Sequence, residues 1–125
     1  MLFRRLGAQM RALVTEALID RDLSSLHFLA LGCLDGPRPM GAVAECLGMD
    51  ASSVTMAVDR LEALGLVERR TDPSDRRVRL IAITETGREL RAQVHADVAD
   101  RSPILQALDD GEIDVLVRLM RKAVG

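Results

Sequence analysis

The chain has 125 residues, of which 48% are hydrophobic and 29% charged. This is enough for one compact domain with a buried core, and it excludes a disordered chain. No apolar run approaches the ~20 residues that a membrane-spanning helix needs, and no signal-peptide core precedes a cleavage site. The sequence therefore favours a cytoplasmic protein that does not bind membranes.

The charges are unevenly distributed along the chain. The net charge of −2 and the pI of about 5.7 argue by themselves against nucleic acid as a partner, because DNA-binding proteins usually carry a basic face. However, residues 69–79 contain five arginines and two aspartates, whereas residues 84–125 contain six basic and eight acidic residues. This pattern indicates one basic segment on an acidic protein, and the acidic remainder limits indiscriminate attachment to phosphate.

The two cysteines, Cys33 and Cys46, are too few for a disulfide scaffold and do not form a C-x-x-C pair. Two interpretations are open for them. They are either small buried hydrophobic side chains or redox-sensing thiols, which require exposure and a lowered pKa.

The first half of the chain is predicted to be helical. Apolar residues in positions 2–18 follow a helical period and predict a first helix. Asp22 or Ser24 can cap a second helix. Pro39 suits the first turn of a short third helix, which Gly48 ends in the manner of a C-terminal cap.

A fourth helix is predicted after a turn of only two residues. Asp50 is a good N-cap for a helix over residues 51–64. Beyond Gly65 the periodicity becomes that of strands, over residues 66–70 and 78–83, joined by a segment rich in turn-forming residues. A β-hairpin is therefore expected to follow the fourth helix.

The remainder of the chain is predicted to be helical again. Thr84 or Thr86 can cap a fifth helix, and Ser102-Pro103 interrupts the chain after it. A last, strongly amphipathic helix is predicted to begin near residues 109–110. The apolar stripes on the first and last helices must be buried somewhere, which favours packing against a second copy.

A short helix, a tight turn, a second helix and a hairpin, in this order, are typical of a winged helix-turn-helix. The second helix of the pair lies in the major groove, ~12 Å wide, and its polar N-terminal end meets phosphates and bases. An arginine at the hairpin tip can enter the narrow, electronegative minor groove. The residues predicted to contact DNA are Ser52, Ser53, Thr55, Met56, Arg60, Arg70, Arg76 and Arg77.

The residues from Asp50 to Arg77, DASSVTMAVDRLEALGLVERRTDPSDRR, resemble the recognition helix and wing of MarR-family regulators. The segment LIAITETG, which ends at Gly87, is similar to the family's second wing strand and the start of its fifth helix. The resemblance implies a mainly α fold with a small β-hairpin wing (α+β). In this fold, residues 23–87 would form the winged helix-turn-helix, and residues 1–22 and 88–125 would form a helical dimerisation region.

The same resemblance implies a function. Members of the family are homodimers that read a pseudo-palindrome in double-stranded DNA and repress transcription, and a small-molecule effector or oxidation often relieves the repression. An effector cleft between the dimerisation region and the winged domain would include His27 and Phe28, which are close in sequence. The residues expected at the dimer interface are Leu2, Leu6, Met10, Ile113, Leu116, Val117 and Met120.

In the wing, Asp75 and Arg77 match the family's D-x-R, in which a structural acid orients an arginine that enters DNA. Met56 departs from the family pattern, because a basic residue commonly follows the threonine of the recognition helix. A methionine cannot make a bidentate contact to guanine, so base contact at Met56 is expected to be weaker or apolar, for instance to a thymine methyl group.

Other functions receive less support from the sequence. A winged-helix module that binds protein rather than DNA remains the alternative, and the acidic pI favours it. His27 and His95 lie outside any Cys/His cluster, so neither a metal nor another cofactor is expected. No nucleophile, phosphate-loop or triad motif indicates an enzyme. No cysteine lies near the start of the first helix, where peroxide-sensing relatives carry one, so that subtype is not expected.

Overall fold

A computed structural model describes all residues from 1 to 125 as seven α-helices, one 3-10 turn and three β-strands. In chain order the elements are α1 (Leu2–Leu18), the 3-10 turn (Ile19–Arg21), α2 (Ser25–Gly32), β1 (Arg38–Pro39), α3 (Met40–Leu47), α4 (Ala51–Ala63), β2 (Val67–Thr71), β3 (Arg79–Ile83), α5 (Glu85–Arg101), α6 (Pro103–Ala107) and α7 (Asp110–Val124). None of these helices has the length and apolar character required to cross a membrane.

The larger core lies between α2, α3, α4 and the sheet. Helix α4 contributes Val54, Val58 and Leu61, all buried, because residues three or four apart share one face of a helix. Val43 from α3 and Ile81 from β3 are also buried in this core. Burying each such side chain contributes ~1.5–3 kcal/mol relative to exposure, so the core fixes α4 on the sheet.

A second, smaller core joins α1, α2 and α5. Its buried members include Leu18, Phe28 and Val94. Leu23 and Leu90 are partly buried and pack against both cores. The predicted division between a dimerisation region and a winged domain is therefore crossed by continuous apolar packing.

The hairpin predicted from the sequence is present, but it is part of a three-stranded antiparallel sheet in the order β1-β3-β2. In the added strand, Arg38 lies opposite Ile81 and Pro39 lies opposite Leu80. A strand of two residues is too short to give a periodic signal. The placement of Pro39 in the first turn of the third helix is wrong, because its extended backbone (φ −62°, ψ 155°) makes it the N-cap and α3 begins at the next residue.

The helix starts follow local capping chemistry. Ser24 precedes α2 as its N-cap, whereas Asp22 has left-handed backbone geometry with φ 53°. Thr84 caps α5 by accepting a hydrogen bond from the Gly87 N–H group at 3.1 Å. The interruption predicted at Ser102-Pro103 is also the start of the short helix α6, because the buried Ser102 hydroxyl accepts a hydrogen bond from the Leu105 N–H group.

Gly87 allows α5 to approach the sheet closely. A Cβ atom at this position would lie 2.1 Å from the carbonyl oxygen of Leu66 and 2.8 Å from a side-chain carbon of Ile83. No side chain fits in this space, so only glycine permits the first turn of α5 to pack directly against the start of the hairpin.

The structure corrects the expectation of two small buried cysteines. Cys33 is buried, Cys46 is exposed, and the two are joined by a disulfide bond between α2 and α3. The pairing is not evident from the sequence, because the contact depends on how α2 packs against α3 and not on the spacing of the two residues.

Candidate nucleic-acid interface

The first turn of α4 is organised around the carboxylate of Asp50. This carboxylate accepts hydrogen bonds from the Ser53 N–H group at 3.3 Å and from the Ser52 hydroxyl at 2.8 Å. Hydrogen bonds from Ser53, and then from Ser52, hold the pKa of Asp50 below its usual value. The Thr55 hydroxyl donates to the Ala51 carbonyl at 2.7 Å. In the free protein the hydroxyl protons of Ser52 and Thr55 are therefore donated to acceptors within the protein. A phosphate would have to displace the Asp50 carboxylate to accept a hydrogen bond from Ser52.

The outward face of α4 carries one large apolar side chain. Met56 is 75% exposed, although its neighbours Ala57 and Val58 are buried in the core. An exposed thioether within a polar helix face can contact apolar groups such as a thymine methyl.

Arg60, further along α4, is engaged by the protein itself. Its guanidinium lies 2.6 Å from the carboxylate of Asp22, in the turn between α1 and α2. His27 lies in the same electrostatic environment, and its pKa is lowered first by partial burial and then by the positive charge of Arg60. The sequence placed Arg60 correctly on α4 but did not identify Asp22 as its partner.

The base of the hairpin is fixed to α4 by Arg69. Its guanidinium bridges Asp59 at 2.6 Å and Glu62 at 2.5 Å, and the hydrogen bond with Asp59 is the main reason that the pKa of Arg69 is raised. Arg70 pairs with Glu68 on the same strand at 2.5 Å. Arg69 and Arg70 are thus held by carboxylates at 2.5–2.6 Å. The hairpin arginines nearer the tip are less tightly engaged: Arg77 has one longer ion pair, at 3.5 Å, and Arg76 and Arg79 have none.

The tip of the hairpin is built by two aspartates. Asp72 accepts hydrogen bonds from the Ser74 N–H group at 2.9 Å and from its hydroxyl at 2.7 Å, and these bonds lower the pKa of Asp72. Asp75 accepts a hydrogen bond from the Arg77 N–H group at 3.0 Å. The carboxylate of Asp75 also lies 3.5 Å from Nε of the Arg77 side chain. The Arg77 side chain is 93% exposed. The backbone is therefore ordered up to an arginine whose side chain extends into solvent.

Sequence reasoning identified Asp75 and Arg77 but missed the role of Asp72. The signal was present in the Asp-Pro-Ser sequence, because an aspartate commonly accepts hydrogen bonds from the residue two positions later in a turn. Arg76, the other predicted contact at the tip, is exposed.

Six of the seven residues predicted for dimerisation line one apolar groove between α1, α6 and α7. It has a volume of about 330 Å³ and contains Leu6, Met10, Ile113, Leu116, Val117 and Met120. Leu2 lies in the adjoining groove of α1. No residue of α7 is buried, and Val117 and Met120 are 39% and 43% exposed. The structure therefore brings these residues together on an uncovered apolar surface.

The two residues predicted for an effector cleft have different surroundings. Nδ1 of His27 lies 2.9 Å from the backbone nitrogen of Ser24, from which it accepts a hydrogen bond. Phe28 is buried in the smaller core, where its ring meets that of His95 edge to face at 5.1 Å. No group of three or more His, Cys, Asp or Glu side chains is arranged to hold a metal ion.

Comparison with known proteins gives a consistent result. A family model described as MarR family matches residues 20–78. CouR from Rhodococcus jostii RHA1, solved with bound p-coumaroyl-CoA, is 33% identical with a TM-score of 0.75, and the match covers 98% of this chain and 86% of that one. A MarR-family transcriptional regulator from Rhodococcus sp. RHA1 is 32% identical with a TM-score of 0.75, covering 98% and 88%. BpsR from Bordetella bronchiseptica, whose DNA binding is regulated by 6-hydroxynicotinic acid, is 27% identical with a TM-score of 0.69, covering 98% and 90%.

Proposed function

The chain belongs to the MarR family of DNA-binding transcription regulators, and we propose that it is a homodimeric repressor of transcription without enzymatic activity. It would read a pseudo-palindromic operator in double-stranded DNA and would work in the cytoplasm, where a bacterial chromosome lies. The observation that carries the proposal is the Arg69 bridge, which fixes the base of an arginine-tipped hairpin beside α4.

Each part of this surface suits a different part of the duplex. The start of α4, with Ser52, Ser53 and Thr55, would meet the major groove and its phosphates. Arg77 and Arg76, whose side chains are exposed at the tip, would reach the adjacent minor groove. Because Arg69 and Arg70 are held by carboxylates at short distance, the hairpin arginines most available for phosphate are Arg76, Arg77 and Arg79. Affinity is expected to fall steeply with salt, since phosphate contacts release counterions.

A second copy of the chain is the proposed occupant of the groove between α1, α6 and α7. The last helix has a continuous apolar face on which no residue is fully buried within the protomer, and only Ile113 and Leu116 are partly buried. An apolar helix face left in water favours association, and a two-fold dimer would cover the same groove on both copies. Dimerisation would also place the two α4 helices ~34 Å apart, one turn of DNA, to match an operator with two half-sites.

A small-molecule effector is the proposed regulator of DNA binding. Two relatives support this: CouR was solved with p-coumaroyl-CoA, and the DNA binding of BpsR is regulated by 6-hydroxynicotinic acid. In this chain the junction of α2 with α5, near Phe28, His95 and His27, lies between the groove helices and the winged part. A ligand inserted at this junction would alter the angle between the groove helices and the winged part.

The proposal is tested by selection from randomised double-stranded oligonucleotides with the full-length protein. The expected result is enrichment of an inverted repeat whose half-sites lie about 10 base pairs apart. The matched control is the Arg76→Ala, Arg77→Ala double variant, which should enrich the repeat poorly while keeping the same fold by circular dichroism. Absence of any enriched sequence would contradict the proposal and would favour the protein-binding alternative, for which the net charge of −2 is the supporting observation.

A further inference from the structure

The disulfide joins Cys33, the C-cap residue directly after α2, to Cys46 near the end of α3. Their Cα atoms lie 6.3 Å apart, and reducing thiol pools make such bonds rare in the cytoplasm. We propose that the Cys33–Cys46 pair is a reversible site of exchange with low-molecular-weight thiols, and that the disulfide form binds DNA more tightly than the dithiol form. The second half of this proposal rests on the proposed function.

The two sulfur atoms differ in access to solvent. Cys33 is 7% exposed and belongs to the larger core, whereas Cys46 lies on the outer side of α3 and is exposed. Thiol–disulfide exchange requires a thiolate to reach a sulfur atom directly. A reductant therefore meets this disulfide at Cys46, and exposed disulfides are the class that is labile and regulatory.

Reduction takes place in two exchanges. A thiolate of the reductant attacks Sγ of Cys46 and forms a mixed disulfide there, while the sulfur of Cys33 leaves as a thiolate and takes a proton from water. A second reductant thiolate attacks the reductant's own sulfur in this mixed disulfide, and Cys46 leaves as the second thiolate. Two reductant thiols become one disulfide, and the protein gains two electrons and two protons.

The crosslink closes a loop that touches both parts of the DNA-binding surface. Strand β1 lies inside the loop and pairs with β3 of the hairpin. At the other end, Cys46 shortly precedes Asp50, the N-cap of α4. Opening the disulfide removes a constraint on both segments, so the dithiol form must order more of its surface on binding, which lowers affinity.

The chemical half is tested on the full-length protein without DNA. The protein is equilibrated with mixtures of reduced and oxidised glutathione, alkylated with iodoacetamide and analysed by intact-mass and peptide mass spectrometry. We expect a transition from zero to two alkylated cysteines within the cytoplasmic range of glutathione ratios, with glutathione attached to Cys46 in the intermediate. A pair that stays oxidised throughout this range, or an intermediate carried by Cys33, would overturn the proposal.

The functional half is tested by fluorescence anisotropy on the selected operator. The dithiol form is expected to bind about fivefold or more weakly than the disulfide form, the usual scale for coupling between two sites. The Cys33→Ala, Cys46→Ser double variant should bind the operator with the affinity of the dithiol form, and this affinity should not change with the glutathione ratio. Equal affinities of the two forms would overturn the coupling. Exchange without DNA binding in either form would support the thiol site but contradict both the coupling and the proposed function.

Discussion

The guanidinium of Arg60 and the carboxylate of Asp22 lie 2.6 Å apart and connect α4 to the turn between α1 and α2. A residue predicted to contact DNA is thus held by the protein's own carboxylate when no DNA is bound. The Asp22 side chain is 91% exposed and the Arg60 side chain 41% exposed, and ion pairs this open to solvent contribute only ~0–1 kcal/mol. A DNA phosphate can therefore replace Asp22 as the partner of Arg60 at small cost in free energy. Until DNA binds, Asp22 holds the Arg60 side chain in position.

Replacement of Asp22 by asparagine tests this exchange. Asparagine tolerates the left-handed backbone of this residue, so the fold should be retained while Arg60 becomes free for phosphate. We expect tighter binding by a few-fold and a salt dependence steeper by about one unit, the scale of one added phosphate contact. The measurement is operator affinity by anisotropy over a series of salt concentrations.

The matched control is Asp20→Asn. Asp20 lies two positions before Asp22, is exposed and has no ion-pair partner, so this substitution removes the same charge without releasing an arginine. It should leave the salt dependence unchanged. Equal effects of the two variants would show that general charge, and not the release of Arg60, governs the result.

The Arg60–Asp22 pair also shows what the sequence could and could not predict. Capping and periodicity are local, so Asp50, the buried face of α4 and the turn around Asp75 were accessible to sequence reasoning. The partner of Arg60 lies 38 residues away in the chain, and no local pattern identifies it.

The elements missed by the sequence have a related explanation. Strand β1 has only two residues and exists because β3 pairs with it. The disulfide likewise arises from helix packing. The features that were missed are therefore mostly tertiary contacts. The segments that make these contacts are too short, or too ordinary in sequence, to show a recognisable pattern.

Arg77 at the wing tip is expected to contribute strongly to DNA affinity. Its side chain is almost fully exposed while its backbone is fixed by Asp75, so the backbone needs little further ordering on binding. Arg77→Ala should weaken operator binding by about 1–3 kcal/mol, the scale of one good arginine contact. Asp75→Asn should have a smaller effect of the same sign, since it removes only the orienting charge.

The measurement is a gel-shift or anisotropy titration of each wing variant. Arg11→Ala, which removes an exposed arginine from α1, provides the control and should bind as the wild type does. An unchanged affinity of Arg77→Ala would remove this residue from the interface.

The groove between α1, α6 and α7 is expected to be covered by a second protomer. Leu116 lies in this groove, and Leu116→Asp would place a carboxylate in the apolar interface, where an unpaired charge is strongly unfavourable. The variant should be monomeric by multi-angle light scattering and should bind the operator weakly, because the two half-sites are no longer linked.

Ile19→Asp introduces the same charge at a residue that is 68% exposed and lies outside the groove. It should remain dimeric at the same concentration. A dimeric Leu116→Asp variant would show that α7 does not contribute to the interface.

Stability is expected to depend on pH through His27. Its Nδ1 accepts a hydrogen bond from the Ser24 N–H group, and a protonated ring cannot accept it. Partial burial, and then the nearby charge of Arg60, lower the pKa of His27 in the folded protein, while Asp22 opposes the shift. As the pH falls, the unfolded state therefore takes up the proton first.

The contribution of His27 is accordingly complete above about pH 6.5, the ordinary histidine value, and is lost as the pH falls from there through the lower pKa of the folded state. Thermal unfolding between about pH 5 and 8 measures this loss. His27→Gln should flatten the profile, because glutamine at the third position of a helix can also accept the capping hydrogen bond but does not titrate. His95→Gln keeps the Ser24–His27 contact and should retain the wild-type profile. If both variants retained it, another group would be responsible for the pH dependence.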